Sequence, residues 1–230
     1  MIVYGRNAVR EALRGRRTVT RVWATARAAG ENWLSGVAVS RAQESQLERL
    51  CGSPDHQGIC AEAAPYPYAD PGSLLAADDA LVVCLDQVQD PRNLGAICRI
   101  AECAGAAGVV ISQRRSAEVT PAVCKASAGA VEHLAVARVR NVADWLAEAK
   151  GAGAWVYGAS ADGIPYERPD YAGKVVLVLG SEGRGLRPRV AQACDELVAL
   201  PMRGRIDALN VSAAAAGLVY GILQFRAHRT

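Results

Sequence analysis

No stretch of this 230-residue chain reaches the roughly 18 consecutive apolar residues of a membrane-spanning helix. The longest apolar runs, Val175–Leu179 and 213–219, read as a buried strand and a buried helix. The opening residues, MIVYGRNAVREAL, lack the basic leader, apolar run and cleavage site of a secretory signal, so a cytoplasmic location is expected. Seven cysteines are present but no CxxC pair, and reduced thiols are expected. His56 lies four residues before Cys60, yet no second close pair completes a four-ligand set, so no metal is predicted. Lysine is scarce, 3 against 23 arginines, and the net charge of +3 carries no overall signature of a nucleic-acid binder.

The distribution of charge says more than its sum. Residues 1–27 hold seven arginines (Arg6, Arg10, Arg14, Arg16, Arg17, Arg21, Arg27) against one acid, Glu11. Arginine suits bidentate contact with phosphate and stacking on bases. A GC-rich genome would also write arginine and alanine throughout, though less readily such a cluster. With 51% hydrophobic residues the chain can bury one large core, or one medium and one small.

Patterning divides the chain at 1–66, 67–75 and 76–230. The first segment predicts a small α/β module: a helix stopping at Gly15, strands in VTRVWAT, GVAVS and QGICAEA, and a helix closed by Gly52. PYPYADPGS (65–73), with three prolines and a glycine, reads as a linker. Thereafter near-continuous apolar strands (81–86, 108–112, 134–139, 154–160, 175–180 and 196–201) alternate with helices at 94–105, 119–130, 142–150, 187–194 and 211–226. That alternation predicts an α/β fold with a mostly parallel sheet covered on both faces.

Three blocks place polar residues or glycines where a strand hands over to a helix, the usual ligand side of such a sheet. In DPRNLGAICRIAECAG (90–105), Asp86 and Asp90 close a strand, Pro91 turns the chain and Asn93 takes the place of a helix N-cap. Arg99 and Glu102 share a helix face. A cap and a surface pair would explain these residues, but Arg99 interrupts an apolar helix, and a half-buried arginine implies an anionic partner.

In LGSEGRGL (179–186), Gly180, Gly183 and Gly185 permit close backbone approach to a ligand, or simply a tight turn. The spacing is not G-x-G-x-x-G, Glu182 would repel a pyrophosphate, and the loop comes late in the chain. All three argue against a nicotinamide oxidoreductase. A carboxylate sits more comfortably beside a sulfonium. In LPMRGRIDALNVS (200–212), Asn210 and Ser212 open a helix whose alanines at 213–216 allow close packing against the sheet or a partner subunit.

Together, in order and spacing, these blocks resemble the three motifs of the SpoU (TrmH-type) ribose 2'-O-methyltransferases of the SPOUT superfamily. YGRNAVREAL, HQGICAEAAPYPYAD and KASAGAVEHL (125–134) are similar to the RlmB-type subgroup, which methylates a guanosine ribose in large-subunit rRNA. The resemblance implies a ribosomal-protein-like RNA-binding module followed by a SPOUT domain with a deep trefoil knot, an exception to the rule against knots. It further implies a homodimer and S-adenosylmethionine as cofactor, with Leu179, Gly180, Leu200, Met202 and Leu209 around its adenine and ribose.

Asn93, Arg99, Glu182 and Asn210 are the implied catalytic set. RNA is expected against Arg6, Arg14, Arg16 and Arg17 of the first module and Arg203 and Arg205 near the site. One departure stands out: the family's usual serine before L-N-V-S is Ala208 here, a loss that Asp207 or Ser212 would have to offset. A tRNA ribose methyltransferase and a catalytically silent RNA-binding protein are the alternatives.

Overall fold

The computed structural model describes residues 1–206 and 208–227; Asp207, offered above as one compensation for Ala208, lies outside them. The first sheet contains β1 (Ile2–Tyr4), β2 (Val19–Ala24), β3 (Val39–Arg41) and β4 (Ile59–Ala63) in the order β1-β4-β2-β3. β4 runs antiparallel to both its neighbours, and β3 is parallel to β2. Helix α1 (Arg6–Arg14) buries Ala8, Val9 and Ala12. Helix α2 (Glu44–Cys51) ends at Gly52, whose φ of 62° lets its N–H return to Glu48 O. Three-residue β1 is too short to show any periodicity and was not foreseen.

The second sheet is parallel throughout: β5 (Leu81–Leu85), β6 (Gly108–Ser112), β7 (Val136–Val139), β8 (Trp155–Pro165), β9 (Val175–Leu179) and β10 (Glu196–Ala199), in the order β10-β8-β9-β5-β6-β7. Its central strands are apolar at every position because both faces are covered. Val83, Leu85, Ile111, Leu177 and Leu179 face one core with α3 (Pro91–Cys103), α4 (Pro121–Ala126) and α7 (Val211–Ala227). Val82, Cys84, Val110, Val176 and Val178 face the other, with α5 (Val142–Gly151) and α6 (Pro188–Ala193). The segments following β5, β6, β7 and β9 therefore emerge side by side along one edge of the sheet.

The expected linker is not a free tether. Tyr66 donates to Leu134 O at 2.8 Å, Tyr68 accepts from Val119 N–H at 2.9 Å, and Ala69 bridges Ala137 beside the sheet. A 3-10 turn, Pro71–Leu75, buries Leu74 and Leu75, so the prolines shape a packed strap rather than an unstructured connection. Val3, Ala8 and Ala63 of the first module join the large core of the second. Where one helix was expected over 119–130, α4 stops at Ala126 and a 3-10 turn, Ala130–Glu132, follows the left-handed Ala128 and Gly129. Among the described residues no helix is long and apolar enough to cross a membrane.

Candidate active site

The three sequence blocks converge on one carboxylate. Asn93 Nδ2 donates to Glu182 Oε1 at 3.1 Å, Asn210 Nδ2 donates to the same oxygen, and Asn210 Nδ2 also donates to Asn93 Oδ1 at 3.0 Å. The amide orientation of Asn210 follows from its second task. Its Oδ1 accepts from Ser212 N–H at 2.9 Å and from the Ser212 hydroxyl at 2.6 Å, so Asn210 caps α7, a contact usually worth about 1 kcal/mol. That leaves Nδ2 facing Asn93 and Glu182. Glu182 thus sits by the starts of α3 and α7, where helix dipoles favour negative charge.

Asn93 is not the cap of α3. Asp90 is, accepting from Arg92 N–H at 2.8 Å, and Arg92 holds the Asp90 carboxyl below its ordinary pKa. The helix starts three residues earlier than expected because Pro91 takes the first helical position. Asn93 is consequently free to use both ends of its amide across the site, although its residue is buried.

The glycine loop is held at both ends. Ser181 and Gly185 exchange backbone hydrogen bonds of 3.2 and 2.9 Å, closing a turn in which Gly183 and Gly185 have φ of 75° and 64°. A Cβ on Gly180 would collide with the backbone of Gly185 and Leu186. Beyond the loop, the buried Asp86 carboxylate accepts from Arg187 N–H at 3.0 Å and Nε at 2.8 Å. Sequence reasoning missed this clamp; its one signal was a carboxylate ending an apolar strand.

Beside the loop lies a cavity of about 500 Å³, within the usual range for small-molecule pockets. Leu179, Gly180, Leu200, Met202 and Leu209, all proposed from sequence, line it together with Glu182 and Ala208. Its lining is mainly aliphatic, with Asp162, Glu182 and Arg184 as charged members. A flat, largely apolar base with polar edges fits such a slot.

Arg99 departs from expectation. It is exposed rather than half-buried, and among the described residues it has no hydrogen bond or ion pair. Its position six residues after Asn93 places it about 240° around the helix and about 9 Å along it, away from the three-residue cluster. Arg17 is a clear correction. It is buried, donating through Nε to Glu132 at 2.8 Å and through Nη1 to Ala64 O at 3.1 Å, so its guanidinium cannot meet phosphate. Arg14, Arg16, Arg203 and Arg205 are exposed, and Arg6 pairs with Glu31 at 2.9 Å.

The signature of the SpoU rRNA Methylase family matches residues 80–220, and that of an RNA 2'-O ribose methyltransferase substrate-binding module matches residues 2–69. The chain belongs to the SpoU rRNA methylase family. This SpoU methylase is 41% identical to a tRNA/rRNA methyltransferase, itself uncharacterized, from Mycolicibacterium vanbaalenii, over 93% of this chain and 73% of the relative. It is 36% identical to YacO of Bacillus subtilis, assigned to the TrmH family of tRNA/rRNA methyltransferases, over 97% of this chain and 95% of that one.

Among solved structures, the SpoU methyltransferase AviRb from Streptomyces viridochromogenes, crystallised with AdoMet, shares the fold at a TM-score of 0.82 and 23% identity, covering 99% of this chain and 90% of its own. A TrmH-family protein from Porphyromonas gingivalis gives a TM-score of 0.79 at 30% identity, covering 96% and 88%. The SpoU methylase is therefore an RNA methyltransferase by family, with an α/β fold and a mostly parallel sheet.

Proposed function

We propose that this SpoU methylase transfers a methyl group from S-adenosylmethionine to the 2'-hydroxyl of a ribose in RNA, the substrate being a guanosine of large-subunit rRNA. The observation that carries the reading is the meeting of Asn93, Glu182 and Asn210, one from each block, beside the cavity lined by Leu179, Gly180, Leu200, Met202 and Leu209. The cofactor supplies an electrophilic methyl on sulfur. Leu179, Leu200 and Leu209 would flank its adenine, and the Glu182 carboxylate would favour its positive sulfur.

Asn93 and Asn210 hold Glu182, which lines the cavity, from outside that lining. Arg99, with no partner of its own, grips the phosphate next to the target ribose and orients the hydroxyl. Guanidinium stays protonated in proteins, so orientation rather than base catalysis is its role. The hydroxyl proton passes to that phosphate or to solvent. The Ser212 hydroxyl is committed to Asn210 and does not replace the one lost at Ala208, but the contacts among Asn93, Glu182 and Asn210 do not involve position 208.

The first module, 1–66, joined through 67–75 to the catalytic domain, 76–230, contacts RNA through Arg6, Arg14 and Arg16, with Arg203 and Arg205 near the site. The C-terminal segment is threaded as the family's trefoil knot. The protein acts as a homodimer in the cytoplasm, through an exposed stripe on α7 of small and aromatic residues (Ala213, Gly217, Tyr220) beside α3.

Mapping ribose methylation by mass spectrometry in rRNA and tRNA from a deletion strain tests the reading. Loss of one 2'-O-methylguanosine from large-subunit rRNA is expected. A missing tRNA methyl would move the substrate to tRNA; the relatives' names cover both tRNA and rRNA. No transfer to any RNA by the purified protein would leave a silent RNA-binding protein.

A further inference from the structure

A second, larger cavity opens on the same edge of the parallel sheet, next to the candidate site but built from different loops. Its volume is about 1180 Å³, and Arg114, Arg115, Arg138, Arg140, Arg187 and Arg189 line it. They come from the segment after β6, from β7 and the residue that follows it, and from the start of α6, and the first sheet contributes none. Three already have carboxylate partners: Arg138 with Glu118 at 2.8 Å, Arg187 with Asp86 at 2.7 Å and Arg189 with Asp144 at 2.9 Å. Glu148 also lines the wall. Arg114, Arg115 and Arg140 are exposed and have no side-chain partner among the described residues. Three guanidinium groups without an ion-pair partner therefore remain in one cleft, against the carboxylate of Glu148.

Two further observations set this cleft apart from a merely arginine-rich surface. Gln87 and Arg115, both in its wall, have φ of 63° and 56°, a left-handed backbone that non-glycine residues adopt at a cost and that concentrates at functional loops. Gln87 also lines a third pocket, of about 410 Å³ and separate from the one beside the glycine loop, which holds Asn93 and Glu182, so the arginine cleft adjoins those two residues. In addition, Arg138 Nε is buried without an acceptor, a donor left over in a guanidinium already stacked 5.0 Å from the Tyr68 ring centre.

The geometry points to the cleft between the β6–α4 loop, the end of β7 and α6 as the track for the ribose-phosphate backbone of the RNA strand leading to Asn93, Glu182 and Asn210. This rests on the reading above that the substrate is RNA. Arg114, Arg115 and Arg140 contact phosphates, while the paired arginines shape the walls. Unpaired arginines spaced along a groove fit a polyanion with regularly repeated charges, and their guanidinium planes can stack on unpaired bases.

The test compares wild type with Arg114→Ala/Arg115→Ala/Arg140→Ala and with the corresponding triple lysine variant. Affinity is measured by filter binding to transcribed large-subunit rRNA and to polyuridylate over a series of KCl concentrations. S-adenosylmethionine binding is followed by calorimetry. The alanine triple is expected to lose RNA affinity about tenfold or more. Its log–log salt slope should be shallower by about 2, three phosphates at about 0.7 each for a single strand. The lysine triple should keep the slope, and cofactor affinity should be unchanged in both.

Unchanged affinity and slope in the alanine triple, with wild type binding RNA, would overturn the track and leave the proposed reaction standing. Lost affinity with an unchanged slope, or equal competition by polyglutamate, would overturn it too. A wild type that binds neither RNA would overturn the substrate reading and the track together.

Discussion

Arg17 and Glu132, 115 positions apart, form a two-pronged ion pair at the junction of the two sheets, with side chains only 2% and 0% exposed. Burial disfavours the Arg17 charge, and the Glu132 carboxylate more than restores it, raising the arginine's pKa. The first module is thereby fixed to the parallel sheet at a set angle, which matters if both contact one RNA. Removing one partner of such a pair leaves the other charge buried and costs about 3–5 kcal/mol. Arg17→Ala should lose that much in urea unfolding. Arg17→Met with Glu132→Leu should lose far less. A single variant within about 1 kcal/mol of wild type would mean that the junction is held by its apolar contacts alone.

Glu11 bridges the same two parts. It accepts from Arg10 Nε at 2.8 Å and lies 3.0 Å from His133 Nε2. Burial works to raise its pKa, but the hydrogen bonds from Arg10 and His133 prevail and hold it below the ordinary carboxylate value. A carboxylate with a lowered folded pKa contributes stability that is present above its unfolded value, about 4.3, and is lost as pH falls through the folded value. Glu11→Gln should therefore flatten the acid limb of the stability–pH curve below about pH 4.5 and leave its shape near neutrality unchanged. Parallel curves for the two proteins over that limb would remove Glu11 from the account.

At Gly180 even one methyl group is too much, because an added Cβ would meet the backbone of Gly185 and Leu186. Gly180→Ala should therefore open the Ser181–Gly185 turn and weaken S-adenosylmethionine binding at least about tenfold by calorimetry. The apolar strand beneath, β9, is untouched, so the protein should remain folded by circular dichroism. An alanine variant with wild-type affinity would show that the cofactor does not lean on this turn.

The site's parts list was legible in the sequence, but its wiring was not. Leu179, Gly180, Leu200, Met202 and Leu209 are implied by the resemblance of the second and third blocks to the SpoU motifs, with the strand ends at 179–180 and 200 as local support. Asn210 as a cap is equally local. That Asn93 bonds Asn210 rather than capping its own helix depends on contacts across 117 positions, for which periodicity carries no signal. The same holds for Arg17, whose neighbours in sequence mark it as one more surface arginine while Glu132 takes it inside. The strap at 65–73 misled for another reason: prolines exclude regular elements but not packing, and Tyr66 and Tyr68 anchor it.

Arg99 poses the sharpest question, since it is turned about a third of the way around α3 from Asn93, nearly two turns further along, and faces solvent in a single chain. Its neighbour on that face, one heptad earlier, is Arg92, and α3 packs beside the exposed stripe of α7. If copies associate through that stripe, Arg99 serves the partner's site rather than its own. Arg99→Ala should then lower methyl transfer at least about a hundredfold with little change in cofactor affinity, as should Glu182→Gln in transfer. Mixed after co-expression, the two inactive variants should recover activity, because a mixed dimer holds one site with both residues intact. Random pairing gives half mixed dimers with one good site each, about a quarter of wild-type activity. If Arg99 acts within its own subunit, every site in the mixture carries one defect and no activity returns. A mixture as inactive as its components would place Arg99 and Glu182 in the same subunit's site.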